Sequence, residues 1–150
     1  MPAFDLTRFA NAQRDLYDAA LQEIKTGRKR SHWMWFVFPQ VAGLGLSETS
    51  VYFAIASVEE AQAYLAHPML GTRLREITDA MNATLESDPA VILGATDAAK
   101  FRSSMTLFNL IGPDEKCFDL ALNKFFGGQL DEETVRRVEM WRQLGWGSAA

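Results

Sequence analysis

The sequence predicts an all-α protein, a single compact orthogonal domain of six to seven helices with short irregular links. Three observations lead to this prediction. Apolar residues recur at helical spacing in most segments. Breaks that resemble helix ends come about every ten to twenty residues, and no alternating apolar pattern is flanked by tight hairpin signals. The 150 residues fit one domain, predicted over residues 1–150 with its core between about 4 and 145.

The first third of the chain combines a predicted helix with a strongly aromatic stretch. Asp5 or Thr7 can cap a helix that ends near Gly27, because apolar residues recur at helical spacing between these points. Residues 31–40, here called the aromatic segment, are apolar on both faces whichever period is assumed, so burial is expected. Their length would also allow a strand. Residues 41–50 contain two glycines and are predicted to form a loop.

The rest of the chain is predicted to be a series of helices. Ser47 or Ser50 can cap a short helix that reaches Ala56. Residues 88–89 are predicted to form a turn, and residues 91–94 a short buried link. The other helices are each predicted from an opening residue followed by apolar residues at helical spacing, and they begin at Ser57, Leu70, Asp97, Asp114 and Asp131.

Composition limits the classes of function. The formal net charge is −4, so wholesale electrostatic binding of nucleic acid or of an anionic membrane is not expected. Cys117 is the single cysteine and the two histidines lie far apart, so no disulfide, metal site or other cofactor is predicted. The first residues lack a signal-peptide pattern and the longest apolar run is too short to span a membrane, so a cytoplasmic location is expected.

The aromatic segment is the first candidate for a functional site. One interpretation is that its aromatic side chains form the central core. The other is that one face lines a pocket, in which Trp33 or Trp35 stacks on a flat ligand. Ser31, His32 and Gln40 would then supply polar contacts. A buried tryptophan N–H needs a hydrogen-bond partner, so burying two tryptophans in this segment is unfavourable unless their N–H groups are used.

The start of the helix at Asp97 is the second candidate. Lys100, Ser103 and Ser104 share one helix face, and Lys100 lies in the first turn, where free backbone N–H groups favour an anion. These residues could bind a phosphate or a carboxylate, or the lysine could activate a serine as a nucleophile. They could equally belong to an ordinary capped helix. An arginine from the basic residues 28–30 could reach the same pocket.

Five motifs carry a resemblance to a known family, and they are residues 31–40, 43–45, 54–55, 67–71 and 100–108. Together they resemble the bacterial domain of unknown function family 1810, over about Phe4 to Thr134. Members of that family are small, mainly α-helical proteins without an established activity, so the resemblance implies a helical fold and no catalytic role. Some members carry the name of calpastatin, a disordered protease inhibitor, which the periodic apolar content of this chain argues against.

A fainter resemblance is to the NADAR family, helical proteins linked to N-glycosidic cleavage of nucleotide-like substrates. It depends on the order of features between Ile92 and Thr134: a basic and polar helix, a second helix, and an acidic helix start. The catalytic residues of that family cannot be matched one by one onto this sequence. The resemblance therefore implies no catalytic residue here.

These observations give one leading hypothesis and two alternatives. In the leading one, the aromatic segment meets the Asp97 helix and forms a pocket for a small, flat, anionic ligand such as a nucleotide or a ribose phosphate. The first alternative is hydrolysis of an N-glycosidic bond, with Asp97 as the nearest carboxylate. The second is a protein-interaction module, which predicts an exposed apolar patch and no concave polar pocket. Neither the oligomeric state nor the presence of catalysis follows from the sequence.

Overall fold

The computed structural model describes residues 5–144, and the regular elements in that range are helices. In chain order they are α1 (Thr7–Gln13), α2 (Tyr17–Lys25), α3 (Met34–Val37), α4 (Glu48–Tyr52), α5 (Val58–Ala66), α6 (Leu70–Ala83), α7 (Pro89–Leu93), α8 (Ala95–Ile111), α9 (Lys116–Phe126) and α10 (Glu132–Gln143). No strand forms between residues 5 and 144, where Val41 and Ile55 make an isolated parallel bridge. The all-α prediction is confirmed, while the predicted count of six to seven helices is too low for the ten seen in this range.

The extra helices arise where the sequence pattern is short or interrupted. The predicted first helix is split into α1 and α2, because the polar run at residues 13–15 interrupts its apolar face. The two pieces then pack separately, α1 against α3 and α2 against α6. The aromatic segment contains the single turn α3, and the predicted link at residues 91–94 is mostly α7. Helices of four and five residues are too short to show a helical period in the sequence.

Most of the predicted helix starts agree with the structure, and three do not. Helix α1 has Leu6 at its cap position, whereas Asp5 or Thr7 was predicted there. Ser47, Ser57 and Asp131 each accept a hydrogen bond from a backbone N–H of the helix that they cap.

Helix α8 begins at Ala95, so Asp97 lies in its first turn and does not cap it. The reason is that a single residue, Gly94, joins α7 to α8 with φ +87, a conformation that favours glycine. Helix α9 begins at Lys116, two residues after the predicted Asp114.

Helix α8 is the central element of the fold. Its middle residues, 103–108, are all buried, so it is enclosed on every side. It packs against α3, α5, α7, α9 and α10. None of the helices in residues 5–144 has both the length and the apolar character needed to cross a membrane. Because α8 contacts α3, the two candidate sites of the sequence analysis come close together in space.

Candidate functional site

Glu23 anchors the start of the aromatic segment. Its carboxylate accepts hydrogen bonds from the backbone N–H of Arg30 (2.7 Å), from the backbone and hydroxyl of Ser31, and from the indole N–H of Trp33 (2.8 Å). Partial burial alone would raise the pKa of Glu23, but these hydrogen bonds together lower it to about 2. Ser31 and Trp33 are therefore engaged in holding the turn that leads into α3.

Glu23 was not among the residues predicted from the sequence, although its position carries a signal. The residue lies in the last turn of α2, where the helix dipole disfavours a carboxylate. An acid in that position, ten residues before Trp33, could have indicated a partner for the Trp33 N–H. The other candidate residues in this stretch lie in different environments. Trp33 is fully buried in the core, and His32 is exposed.

A cavity of about 240 Å³ lies where the aromatic segment meets the first turns of α8. Four of the candidate residues line it: Trp35, Gln40, Lys100 and Ser103. The rest of the wall comes from the chain around α4, from the start of α8 and from the cap of α10, and consists of Val41, Gly43, Leu44, Gly45, Ser50, Phe53, Ala54, Thr96, Ala99 and Asp131. The cavity therefore joins parts of the chain that are far apart in the sequence.

Charged and aromatic groups form a continuous row beside this cavity. The ammonium of Lys100 lies 5.1 Å from the ring centroid of Trp35 and donates to Oδ1 of Asp97 at 3.2 Å. On the other side, Nζ of Lys29 lies 2.8 Å from Oδ2 of the same carboxylate and 5.3 Å from the ring centroid of Trp33. Two positive groups thus share one negative group, so the three charged residues carry a net charge of +1.

The row is partly shielded from solvent, which strengthens its electrostatic effect. The side chains of Lys29, Asp97 and Lys100 are 9%, 18% and 23% exposed. An arginine of residues 28–30 was predicted to be able to reach the pocket. The structure instead places Lys29 in the row, and Arg28 and Arg30 are exposed.

Three candidate residues of α8 have different environments. Asp97 does not line the cavity, and both of its oxygens are engaged with lysines. The hydroxyl of Ser103 lies at the cavity and donates to the backbone oxygen of Ala99 at 3.2 Å. Ser104 is fully buried away from the cavity wall, and its hydroxyl has no hydrogen-bond partner among residues 5–144. No hydrogen bond joins Lys100 to either serine, so the arrangement that would activate a serine nucleophile is not formed.

Asp131 lines the cavity, although its position in the sequence did not indicate a site residue. It was recognised only as the start of α10, a role that its Oδ2 fulfils by accepting from the backbone N–H of Thr134 at 3.1 Å. The Thr134 hydroxyl donates to the same oxygen, and the backbone N–H of Asp131 donates to the hydroxyl of Thr106 at 2.9 Å. The carboxylate is therefore held rigidly in the cavity wall, opposite in sign to Lys100.

The loop of residues 42–54 closes one side of the cavity. Its ends are tied together by the Val41–Ile55 bridge, in which the N–H of Ala42 donates to the oxygen of Ile55 at 2.8 Å. Helix α4, inside this loop, has no buried residue. The guanidinium of Arg137 lies against the loop at Gly43, whose φ is +97. The loop is thus held at its ends and at one glycine.

Known proteins show what this chain is similar to. Among solved structures it is similar to the conserved hypothetical protein Rv1873 from Mycobacterium tuberculosis, with 46% sequence identity and a TM-score of 0.89. The similarity covers 91% of this chain and 97% of that chain. No curated protein matches the chain. Neither the solved structure nor the family match below supports the fainter resemblance to the NADAR family or the name calpastatin.

The family of the chain follows from its sequence match. Residues 3–138 match the family described as protein of unknown function (DUF1810). This is the family that the aromatic segment and residues 100–108 had indicated. Because the match spans far more than half of the chain, the protein belongs to the DUF1810 family of proteins of unknown function.

Proposed function

We propose that this protein binds a small anionic ligand, nucleotide-like or a ribose phosphate, in the cavity between the aromatic segment and α8. The observation that carries the proposal is the sharing of Asp97 by two lysines. Lys100 lines the cavity and has only part of a carboxylate as its counter-charge. A ligand with a phosphate or carboxylate group would complete the charge balance there. The cytoplasmic location expected from the sequence is part of this proposal.

The size of the cavity and the ring in its wall support a small ligand. A volume of about 240 Å³ is below the roughly 300–1,000 Å³ of typical small-molecule pockets. It therefore favours a single ring or a sugar phosphate over a complete dinucleotide. Trp35 offers an aromatic surface to a flat group, although the ammonium of Lys100 occupies one part of that ring.

The two alternative functions have weaker support. Hydrolysis of an N-glycosidic bond needs a carboxylate beside the sugar, but Asp97, the carboxylate expected in that role, is held by Lys29 and Lys100 outside the cavity wall. The carboxylate that does line the cavity, Asp131, is engaged in capping α10. An interaction module without chemistry predicts no concave polar pocket, whereas this cavity has lysine, aspartate and hydroxyl groups in its wall. Exposed apolar side chains do occur at Leu46, Val51 and Tyr52, but a few exposed apolar side chains are normal on a protein surface.

Thermal and chemical unfolding in the presence of ligands tests the proposal. The wild-type protein would be titrated with inorganic phosphate, ribose 5-phosphate and adenosine monophosphate. A ligand at a hundred times its dissociation constant should raise the free energy of unfolding by about 2.7 kcal/mol. The Lys100→Met variant should lose most of this stabilisation, because it removes the cation from the cavity wall while keeping a side chain of similar length.

A matched control comes from a lysine outside the cavity. Lys116 is exposed at the first position of α9, so Lys116→Met should bind the same ligands as well as the wild type does. The proposal fails if no anion in the panel stabilises the wild-type protein. It also fails if Lys100→Met binds as tightly as Lys116→Met.

A further inference from the structure

We infer that the ligand is a phosphorylated polyol, and that Asp131 is the residue that selects for its hydroxyl groups. This inference rests on the proposed function, because it assigns the second end of the same ligand. Lys100 would take the phosphate, and the Asp131 carboxylate would accept hydrogen bonds from hydroxyl groups. Both residues line the single cavity described above.

The hydrogen bonds of Asp131 show that half of its carboxylate is available. Oδ2 accepts both hydrogen bonds from Thr134, whereas no residue in the range 5–144 donates to Oδ1. The backbone contact with Thr106 fixes the residue from the other side. A carboxylate oxygen that is held in place and lacks a donor is suited to a ligand hydroxyl, since hydrogen bonds to charged acceptors are the strong ones.

The negative charge of Asp131 determines which anions the cavity favours. A negative group in the wall repels a simple anion, so for phosphate alone Asp131 would be a disadvantage. The same group becomes favourable when the anion carries hydroxyl donors that can reach it. The other polar residues of the wall also suit a ligand with hydroxyl groups, because hydroxyl and amide groups both donate and accept hydrogen bonds. These residues are Gln40, Ser50, Thr96 and Ser103.

Three phosphate esters of similar size test the inference. Glycerol 3-phosphate and propyl phosphate have the same carbon number and differ in two hydroxyl groups, while phosphoethanolamine is one carbon shorter and carries an ammonium and no alcohol group. Their dissociation constants and that of inorganic phosphate would be measured by calorimetry for the wild type and for Asp131→Asn. Asparagine caps helices about as well as aspartate, so the variant keeps the start of α10. Asp88→Asn, at the cap of α7 and outside the cavity wall, is the matched control.

The wild type and Asp131→Asn should differ in their preference among these ligands. Wild type should bind glycerol 3-phosphate roughly tenfold more tightly than propyl phosphate, the value of one hydrogen bond to a charged group. In Asp131→Asn this preference should be lost, while inorganic phosphate binds as well as or better than it does to the wild type. Asp88→Asn should behave as the wild type.

Other outcomes separate this inference from the proposed function. Equal binding of glycerol 3-phosphate and propyl phosphate by the wild type would overturn the inference and leave the anion site in place. Tighter binding of phosphoethanolamine than of glycerol 3-phosphate would also overturn it, because Asp131 would then select for an ammonium. If inorganic phosphate and all three esters fail to bind the wild type, the proposed function itself is wrong.

Discussion

The ammonium of Lys100 lies 5.1 Å from the centre of the Trp35 ring, although the two residues come from distant parts of the sequence. A cation within about 6 Å of an aromatic ring centroid is attracted to the ring face. Lys29 repeats this arrangement with Trp33 at 5.3 Å, and both lysines contact Asp97. Asp97 is therefore the central residue of a row that joins the turn after α2, the aromatic segment and α8.

Replacing Asp97 should affect stability and ligand binding in opposite directions. In Asp97→Asn, the two partly buried lysines lose their shared counter-charge. We expect the free energy of unfolding to fall by about 1–3 kcal/mol, between the values for exposed and for buried pairs. Binding of inorganic phosphate should become tighter, because the charge beside the cavity rises from +1 to +2. Urea denaturation and calorimetry measure the two effects.

The control for this change is an aspartate outside the row. Asp114 is exposed and precedes α9, so Asp114→Asn should alter the free energy of unfolding by less than about 0.5 kcal/mol. If Asp97→Asn weakens phosphate binding, then Asp97 itself takes part in binding, and the charge argument for the site is wrong.

The carboxylate of Glu23 should make stability depend on acid pH. Its pKa is about 2 in the folded protein, compared with an ordinary value of 4.5. The folded state therefore favours the charged form, so this contribution is complete above about pH 4.5 and is lost as the pH falls towards 2. We expect Glu23→Gln to lower the free energy of unfolding by about 1–3 kcal/mol at neutral pH.

Urea denaturation of the wild type and of Glu23→Gln from pH 7 down to pH 2.5 checks this. The difference between the two proteins should shrink on acidification, because a protonated Glu23 loses its advantage over glutamine. Other acidic groups titrate in both proteins, so they cancel in the difference. A difference that stays constant over this range would show that the hydrogen bonds to Ser31 and Trp33 do not depend on the charge.

The sequence predicted those features that depend on neighbouring residues. The caps at Ser57 and Asp131 could be identified because the capping side chain and its N–H partner lie three residues apart. The common face of Lys100 and Ser103 follows in the same way from helical spacing. The sequence also suggested that Trp35 and these α8 residues would meet, and they do line one cavity, although ligand binding there stays a prediction.

The features that the sequence did not reveal depend on contacts between distant segments. Glu23 is important because four donors from residues 30–33 converge on it, a fact that only the turn after α2 creates. Asp131 enters the cavity wall because α10 packs on α8. Helix α8 begins before Asp97 because Gly94 is the single residue between α7 and α8. Local patterns carry no information about such arrangements.

Cys117 should be unreactive in the folded protein. Burial, together with the negative charges of Asp79 and Glu115, raises the pKa of its thiol from 9.0 to about 11. The thiolate is the reactive form. At pH 8 the higher pKa leaves roughly a hundredfold less thiolate than in the unfolded chain, so the thiol should react about a hundredfold more slowly. Alkylation with iodoacetamide, followed by mass spectrometry with and without denaturant, measures this ratio. Equal rates in the two conditions would show that the thiol is accessible and its pKa ordinary.

Gly43 should be sensitive to the smallest substitution, because it combines two constraints. Its φ is +97, which disfavours any residue with a Cβ, and a Cβ built there would lie within 2.1 Å of Nη1 of Arg137. To make room, the guanidinium of Arg137 would have to shift relative to Glu133, to which its Nε donates at 2.9 Å. We expect Gly43→Ala to lower the free energy of unfolding by about 1–3 kcal/mol, measured by urea denaturation.

Two further variants separate the backbone strain from the contact with Arg137. Gly94 has a similar φ of +87 with no atom within 4 Å of a built Cβ, so Gly94→Ala measures the strain alone. Gly43→Ala should be more destabilising than this control, and adding Arg137→Ala to it should remove the excess. An equal loss in Gly43→Ala and Gly94→Ala would show that the guanidinium adjusts without cost. Because Gly43 lines the cavity, a shift of the loop caused by the clash should also weaken phosphate binding, whereas Gly94→Ala should leave it unchanged.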